Sequence, residues 1–186
     1  GTDTTWLTGG LDVANFQVMS IRDEVYSTNV YFKLVSSNEP YPLPELTSST
    51  FLGAYDSTKW NLSVRIKPQN YPIYDRVTGS HSDSYDVIFR GINTELGIVK
   101  NSFEVSGTIS NTVGKAFLRA PKRIYTGARK TNLTGAVLQP CDTQFMGLKY
   151  WVKYIDNNAI DIHSHEEDNM GIDNSFMNIS PLDSFL

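Results

Sequence analysis

Apolar positions in this chain recur every second residue rather than every third or fourth. Residues 60–67 (Trp-Asn-Leu-Ser-Val-Arg-Ile-Lys) are the clearest case. Trp60, Leu62, Val64 and Ile66 fall on one side, and Asn61, Ser63, Arg65 and Lys67 on the other. A period of two belongs to a half-buried strand with one wet face, and Pro68, which has no ladder N–H, ends it. Residues 85–90 and 103–109 repeat the pattern. Residues 13–20 and 29–35 read as two strands around a charged turn at Arg22-Asp-Glu24, and residues 148–155 as the last strong strand. Two shorter strands are predicted at 116–119 and 123–126, divided by Pro121. No amphipathic helix of ten or more residues is visible. The best helical stretch is one or two turns within 156–167, with Asp156 or Asn157 as N-cap. The alternation selects Trp60, Leu62, Val64, Ile66, Val87, Phe89, Val105, Ile124, Val137, Leu148 and Tyr150 as core. Trp151 points opposite Tyr150 and is read as a tryptophan covered by a loop. Many short strands punctuated by Gly, Pro and Asn predict an all-β fold. The expectation is a two-layer antiparallel β-sandwich with at most one or two short helical turns.

The punctuation places the loops. Residues 1–10, rich in Thr and Gly around Trp6, read as a linker leading into one domain over 11–186. Pro40, Pro42 and Pro44 stand at every second position and confine residues 39–45 to an extended edge or surface loop. The long connection 69–84 lies between two confident strands, where function often resides. Its Tyr71, Tyr74, Asp75, Arg76, His81 and Asp83 suit a sugar or protein surface. Aromatic rings stack on pyranose faces, and carboxylates and guanidinium groups bind hydroxyls. These six residues are the candidate ligand-binding set.

The stretch Lys122-Arg-Ile-Tyr-Thr-Gly-Ala128 is followed by Asn132-Leu-Thr-Gly-Ala136, then Leu148-Lys-Tyr-Trp-Val152 and Asp156-Asn-Asn-Ala-Ile160. Glycines at 127, 135 and 147 suit tight bends between strands. This order resembles the closing strands of laminin-G/concanavalin A-type lectin-like domains, over roughly residues 116–165. It is similar in particular to the lectin-like domains embedded in tailed-phage and other virion structural proteins. They share the Arg-Ile-Tyr-x-Gly-Ala strand and the Tyr-Trp-x-x-Tyr strand running into an Asp-led turn and a histidine, here His163. The resemblance implies a concanavalin A-like jelly roll and a non-enzymatic structural or recognition role on a virion surface. Implied partners are neighbouring virion subunits, other domains of the same polypeptide, and host glycans. It also implies calcium as the one cofactor to consider, with Asp75, Asp83, Asp142, Asp156 and Asp168 as oxygen donors and no assigned ligand set.

Composition narrows the alternatives. A net charge of −4 with no long basic run gives no electrostatic footprint for nucleic acid. No run of eighteen apolar residues suggests a membrane span. The single Cys141 allows no internal disulfide and fits a reducing compartment, or a virion protein made in one. Glycosidases on such sandwiches carry paired acids along one strand, and none of the predicted strands does; Glu104 and Glu95 read as isolated. His163-Ser-His165-Glu-Glu-Asp168 invites a zinc reading, but two histidines at i and i+2 share a face only on a strand. The chain opens on Gly1 and closes on an apolar stretch, 179–186, and is read as a piece of something larger. Two other classes stay open: an extracellular calcium-dependent adhesion module, and a carbohydrate-active enzyme, disfavoured by the missing acid pair.

Overall fold

The computed structural model describes residues 16–36, 42–70, 74–75, 80–81, 84–120, 124, 126–130, 137–140 and 144–165. The chain is mostly β-sheet, built on two three-stranded antiparallel sheets with two short helices. The first sheet joins β1 (Phe16–Arg22), β2 (Val30–Ser36) and the two-residue β3 (Leu46–Thr47) in that order. The second has the order β4 (Trp60–Pro68), β7 (Ser84–Glu95), β8 (Ile98–Ser110). Between β4 and β7 lies a small ribbon of β5 (Tyr74–Asp75) and β6 (Ser80–His81). Helix α1 (Asn111–Arg119) follows β8 directly. A second ribbon pairs β9 (Ala128–Lys130) with β10 (Val137–Pro140), and α2 (Asn157–His165) closes the described chain.

The strands predicted at 13–20, 29–35, 60–67, 85–90 and 103–109 are present, with shifted or longer bounds. In β2 the alternation is complete: Val30, Phe32 and Leu34 are buried. They meet the inner face of the second sheet, where the register aligns Val64 with Phe89 and Val105, and Ile66 with Val87. Aromatic rings fill the space between the sheets. Phe32 stacks on Phe103 at 5.6 Å between ring centroids and lies 4.6 Å from Trp60. Phe51 sits 4.8 Å from Trp60, and Phe89 meets Phe103 edge-on at 5.0 Å. Such ring pairs add about 0.5–1.5 kcal/mol beyond the area they bury. The Phe103 ring also lies against Gly91, its strand-pair neighbour, where a Cβ would come within 2.2 Å of the ring.

Turns follow from local chemistry. The β7–β8 hairpin turns through Leu96 and Gly97, both with positive φ (50° and 75°), the backbone of a two-residue I′ hairpin loop. The β1–β2 connection holds itself together with side chains: the Asn29 amide donates to Asp23 Oδ2 at 3.1 Å, and the Asn29 N–H donates to Ser27 Oγ at 3.0 Å. A hydrogen bond from Ser27, then one from Asn29, holds the Asp23 carboxyl below the ordinary value of 3.8. A depressed carboxylate pKa contributes stability that is complete above pH 3.8 and is lost as pH falls through the lower, folded-state value. The Asn29 side-chain amide resonances should therefore titrate with a midpoint below 3.8, and Asp23→Asn should abolish that transition. A midpoint at or above 3.8 would contradict the turn geometry.

Helix α1 corrects the strand expected at 116–119. Ser110 ends β8 and also caps the helix, its Oγ accepting from Val113 N–H at 3.4 Å. Phe117 is buried, with its ring 5.9 Å from that of Phe16, and Val113 packs on the core. Four residues were too few to separate a period of two from one of 3.6, and Gly114 in mid-helix lowers the local helical signal. That glycine is there for space: a Cβ would lie 2.4 Å from the Tyr85 ring, itself buried against the helix. Gly→Ala in a helix ordinarily stabilises by about 0.5–1 kcal/mol. Here Gly114→Ala should instead cost about 1–3 kcal/mol through overpacking, read as a fall in the urea midpoint at unchanged slope. A rise in midpoint would remove the Tyr85–Gly114 contact from the account.

The strand expected at 148–155 is also corrected. Residues 144–156 form neither helix nor strand, and Leu148 (54% exposed) and Tyr150 (59%) are solvent-facing rather than core. A strand needs a ladder partner as well as alternation, and among the described residues none lies beside this stretch. Ile124, Val137 and Leu62 are exposed too. No ladder forms at Ile124 or Thr126; the strand in that region starts at Ala128. The linker at 1–10, the bend at Gly135, and Cys141 lie outside the described residues. Gly127 has the expected positive φ, whereas Gly147 does not.

Candidate functional site

The second sheet has two faces, and the outer one carries the charge. By register, Ser63, Arg90 and Glu104 lie side by side across β4, β7 and β8, with Arg65 in the neighbouring row beside Ile88. Arg65 was expected on a wet face, yet it is only 5% exposed. Helix α2 covers it. Asp156, one of the two expected N-caps, starts α2 by accepting from Ala159 N–H at 2.9 Å. The helix then turns Ile160, His163 and Ser164 inward against β7 and β4, a spacing of three and four residues that places them on one face. Thr94 of β7 donates to the Ser164 carbonyl at 3.0 Å, which satisfies a helix-end acceptor.

Under this cover the charged groups bind one another. Glu104 Oε2 accepts from Arg65 Nη2 at 3.1 Å and from Arg90 Nη1 at 3.2 Å. Arg90 Nη2 donates to Asp161 Oδ1 at 2.7 Å. Arg65 Nη1 donates to the Ile155 carbonyl at 3.2 Å and reaches the Tyr154 hydroxyl at 3.4 Å. Two guanidinium groups thus share one carboxylate, and a second carboxylate, on the helix, closes the chain of pairs. Burial works against the charge on Arg90, but the bonds and attraction from Asp161 first and Glu104 next outweigh it. Its affinity for the proton is raised.

The adjoining segment docks on the same face. The Trp151 ring lies 5.3 Å from the His163 ring, and Lys149 Nζ is 3.3 Å from His163 Nδ1. Lys67 and Arg65 both stand 5.5 Å from the Tyr154 ring. Trp151 is half-covered, as expected, but by a helix rather than a loop. His163 is buried while His165 is exposed, so the two histidines diverge on the helix and do not form a shared zinc site. Among the described residues no group of three His, Cys, Asp or Glu is arranged to hold a metal ion. Of the calcium donors considered, Asp156 caps α2, Asp75 lies in β5, and Asp83, Asp142 and Asp168 fall outside the described residues.

The candidate ligand-binding set is split by the same limit. Tyr74 and Asp75 form β5 and His81 lies in β6; the register sets Tyr74 opposite His81 and Asp75 opposite Ser80. Tyr71, Arg76 and Asp83 lie outside the described residues. The connection is therefore partly a hairpin, carried by the end of the sheet at which Pro68 pairs with Tyr85. Sequence reasoning missed the Arg65–Glu104–Arg90–Asp161 cluster entirely. The available signal was the run Val87-Ile-Phe89, apolar on both sides of the strand, which marks a strand covered on both faces.

Compared with known protein families, curated proteins and solved structures, the chain gives no match to any of the three. Among the described residues no helix is long and apolar enough to cross a membrane.

Proposed function

We propose that this chain is a non-enzymatic recognition domain, a lectin-like sandwich of the concanavalin A-like jelly-roll kind, displayed on a virion or phage surface and binding host glycans. The two antiparallel sheets closed on an aromatic core are consistent with that architecture. The observation that carries the reading is the β5–β6 hairpin. It presents a register of Tyr74 with His81 and Asp75 with Ser80 between two strands anchored in the core. An aromatic, a carboxylate, an imidazole and a hydroxyl in one short ribbon match what a sugar offers, an apolar face and a rim of hydroxyls. The carboxylates of the outer face support the non-enzymatic part, since Glu104 and Asp161 each spend an oxygen on an arginine.

A glycan array tests this. The chain should be retained by a subset of cell-surface glycans without releasing reducing ends. Tyr74→Ala and His81→Ala should each weaken retention about tenfold, ~1.4 kcal/mol, with unchanged circular dichroism. Retention of no glycan, or steady hydrolysis of one, would overturn the reading.

A further inference from the structure

One end of the sandwich presents large apolar side chains to solvent. Val25 and Tyr26 (91% exposed) stand on the β1–β2 connection, Leu52 on the turn after Phe51, and Leu96 (96%), Ile98 and Val99 at the β7–β8 hairpin. The three loops share that end. Phe51 bridges Val30 at the start of β2, its ring lies 4.8 Å from Trp60 at the start of β4, and Trp60 pairs with Asn93, close to the end of β7 at Glu95. The β5–β6 hairpin belongs to the opposite end, beyond Pro68. The apolar end is firmly built. Tyr55 N–H donates to the Thr28 carbonyl at 2.9 Å, Gly53 N–H donates to Asn29 Oδ1 at 3.2 Å, and the Arg22 guanidinium lies 3.5 Å over the Tyr55 ring. Tyr26 and Leu96 also hold positive φ (67° and 50°), which bulky side chains rarely adopt and Asn or Gly enters at lower cost. Neither side chain gains burial in return, so its use lies in a contact outside the domain.

Area and charge select the occupant. A stable dimer takes about 800 Å² from each partner, and six large side chains exposed by 44–96% supply an area of that order. Glu24 precedes Val25 and Glu95 precedes Leu96, so carboxylates stand beside the apolar tips and oppose an anionic lipid surface. A second copy is complementary. Lys100 and Glu95 form a pair at 3.7 Å, with side chains 49% and 67% exposed. In an isologous contact across the hairpin tips, each copy's Lys100 meets the other's Glu95. Lys100 is also the extra residue of a bulge, since Asn93 pairs with Asn101 and Thr94 with Val99. A bulged lysine opposes strand addition along the edge of β8, which leaves end-to-end packing. We infer that two copies of this chain pair through this end, seating Tyr26, Leu52 and Leu96 of each against the other and sharing Glu95–Lys100 contacts between copies.

Sedimentation velocity of the intact chain over a concentration series tests this, with a reversible monomer–dimer equilibrium as the expected result. Tyr26→Asn and Leu96→Asn should each raise the dissociation constant about tenfold or more. Neither should lower the urea midpoint measured where the chain is monomeric, because asparagine accepts the left-handed backbone. Glu95→Lys and Lys100→Glu should each weaken self-association, and an equimolar mixture of the two should restore it, since opposite charges then face each other across the contact. A chain that stays monomeric up to about 1 mM, a dimer unchanged by both asparagine variants, or a mixture no more associated than its components would overturn the inference. So would flotation of the monomer with phosphatidylcholine vesicles that both asparagine variants abolish, which would assign this end to a lipid surface.

Discussion

Alanine at position 89 is expected to destabilise the chain by about 3–5 kcal/mol, the range for removing a large buried aromatic. Phe89 is fully buried on the central strand of the second sheet, between Val64 and Val105 and edge-on to Phe103. Its loss opens a cavity in the middle of the ring cluster that joins the two sheets. Because domains of this size are stable by only about 5–15 kcal/mol, Phe89→Ala should bring the urea midpoint down by about a fifth or more at unchanged slope. Tyr150→Ala supplies the control. The alternation of the sequence puts Tyr150 in the core with Phe89, yet it is 59% exposed, and its replacement should shift stability by less than about 0.5 kcal/mol. Equal effects at the two positions would mean that the core has been misplaced.

Glu104→Gln should cost about 2–3 kcal/mol. The substitution keeps the shape and removes the negative charge that two arginines share, at 3.1 and 3.2 Å. Removing one partner of a fully buried pair costs about 3–5 kcal/mol, because the remaining charge is left uncompensated. The Arg65 side chain is only 4% exposed, whereas that of Glu104 is 39% exposed, so solvent screening lowers the expected figure. Replacing Arg65 as well, in Arg65→Met with Glu104→Leu, should recover at least half of the loss, since apolar substitutes of similar volume often match a buried ion pair. A double variant worse than the sum of the single ones would show that Arg65 acts through other bonds, such as that to the Ile155 carbonyl.

The residues differ in how much they disclosed in advance. The period of two located all three strands of the second sheet, but alternation and burial agree cleanly only in β8, where Phe103, Val105 and Ile109 turn inward and Glu104, Ser106 and Thr108 outward. Arg65 shows where that logic stops. Its position on the polar side of β4 was legible, but its burial depends on Tyr154, Ile155 and the helix after them, which arrive some ninety residues later in the chain. Residues 148–155 failed in the opposite way: the alternation is real, but a strand is a property of two segments, and its partner is not implied by its own sequence. Gly114 misled because its reason for being there is the Tyr85 ring, a contact that no local window contains. The candidate set in 69–84 was chosen by residue type alone, and of it the structure gives the register of Tyr74 with His81 and the place of Asp75 opposite Ser80.

The most direct measurement is a set of nuclear Overhauser contacts among aromatic protons in a sample protonated only at Phe and Trp. Two sheets packed face to face require the Phe32 ring of the first sheet to give contacts with both Trp60 and Phe103 of the second. A spectrum in which Phe32 contacts neither ring would contradict the sandwich, and with it the placement of the hairpin and of the charged outer face.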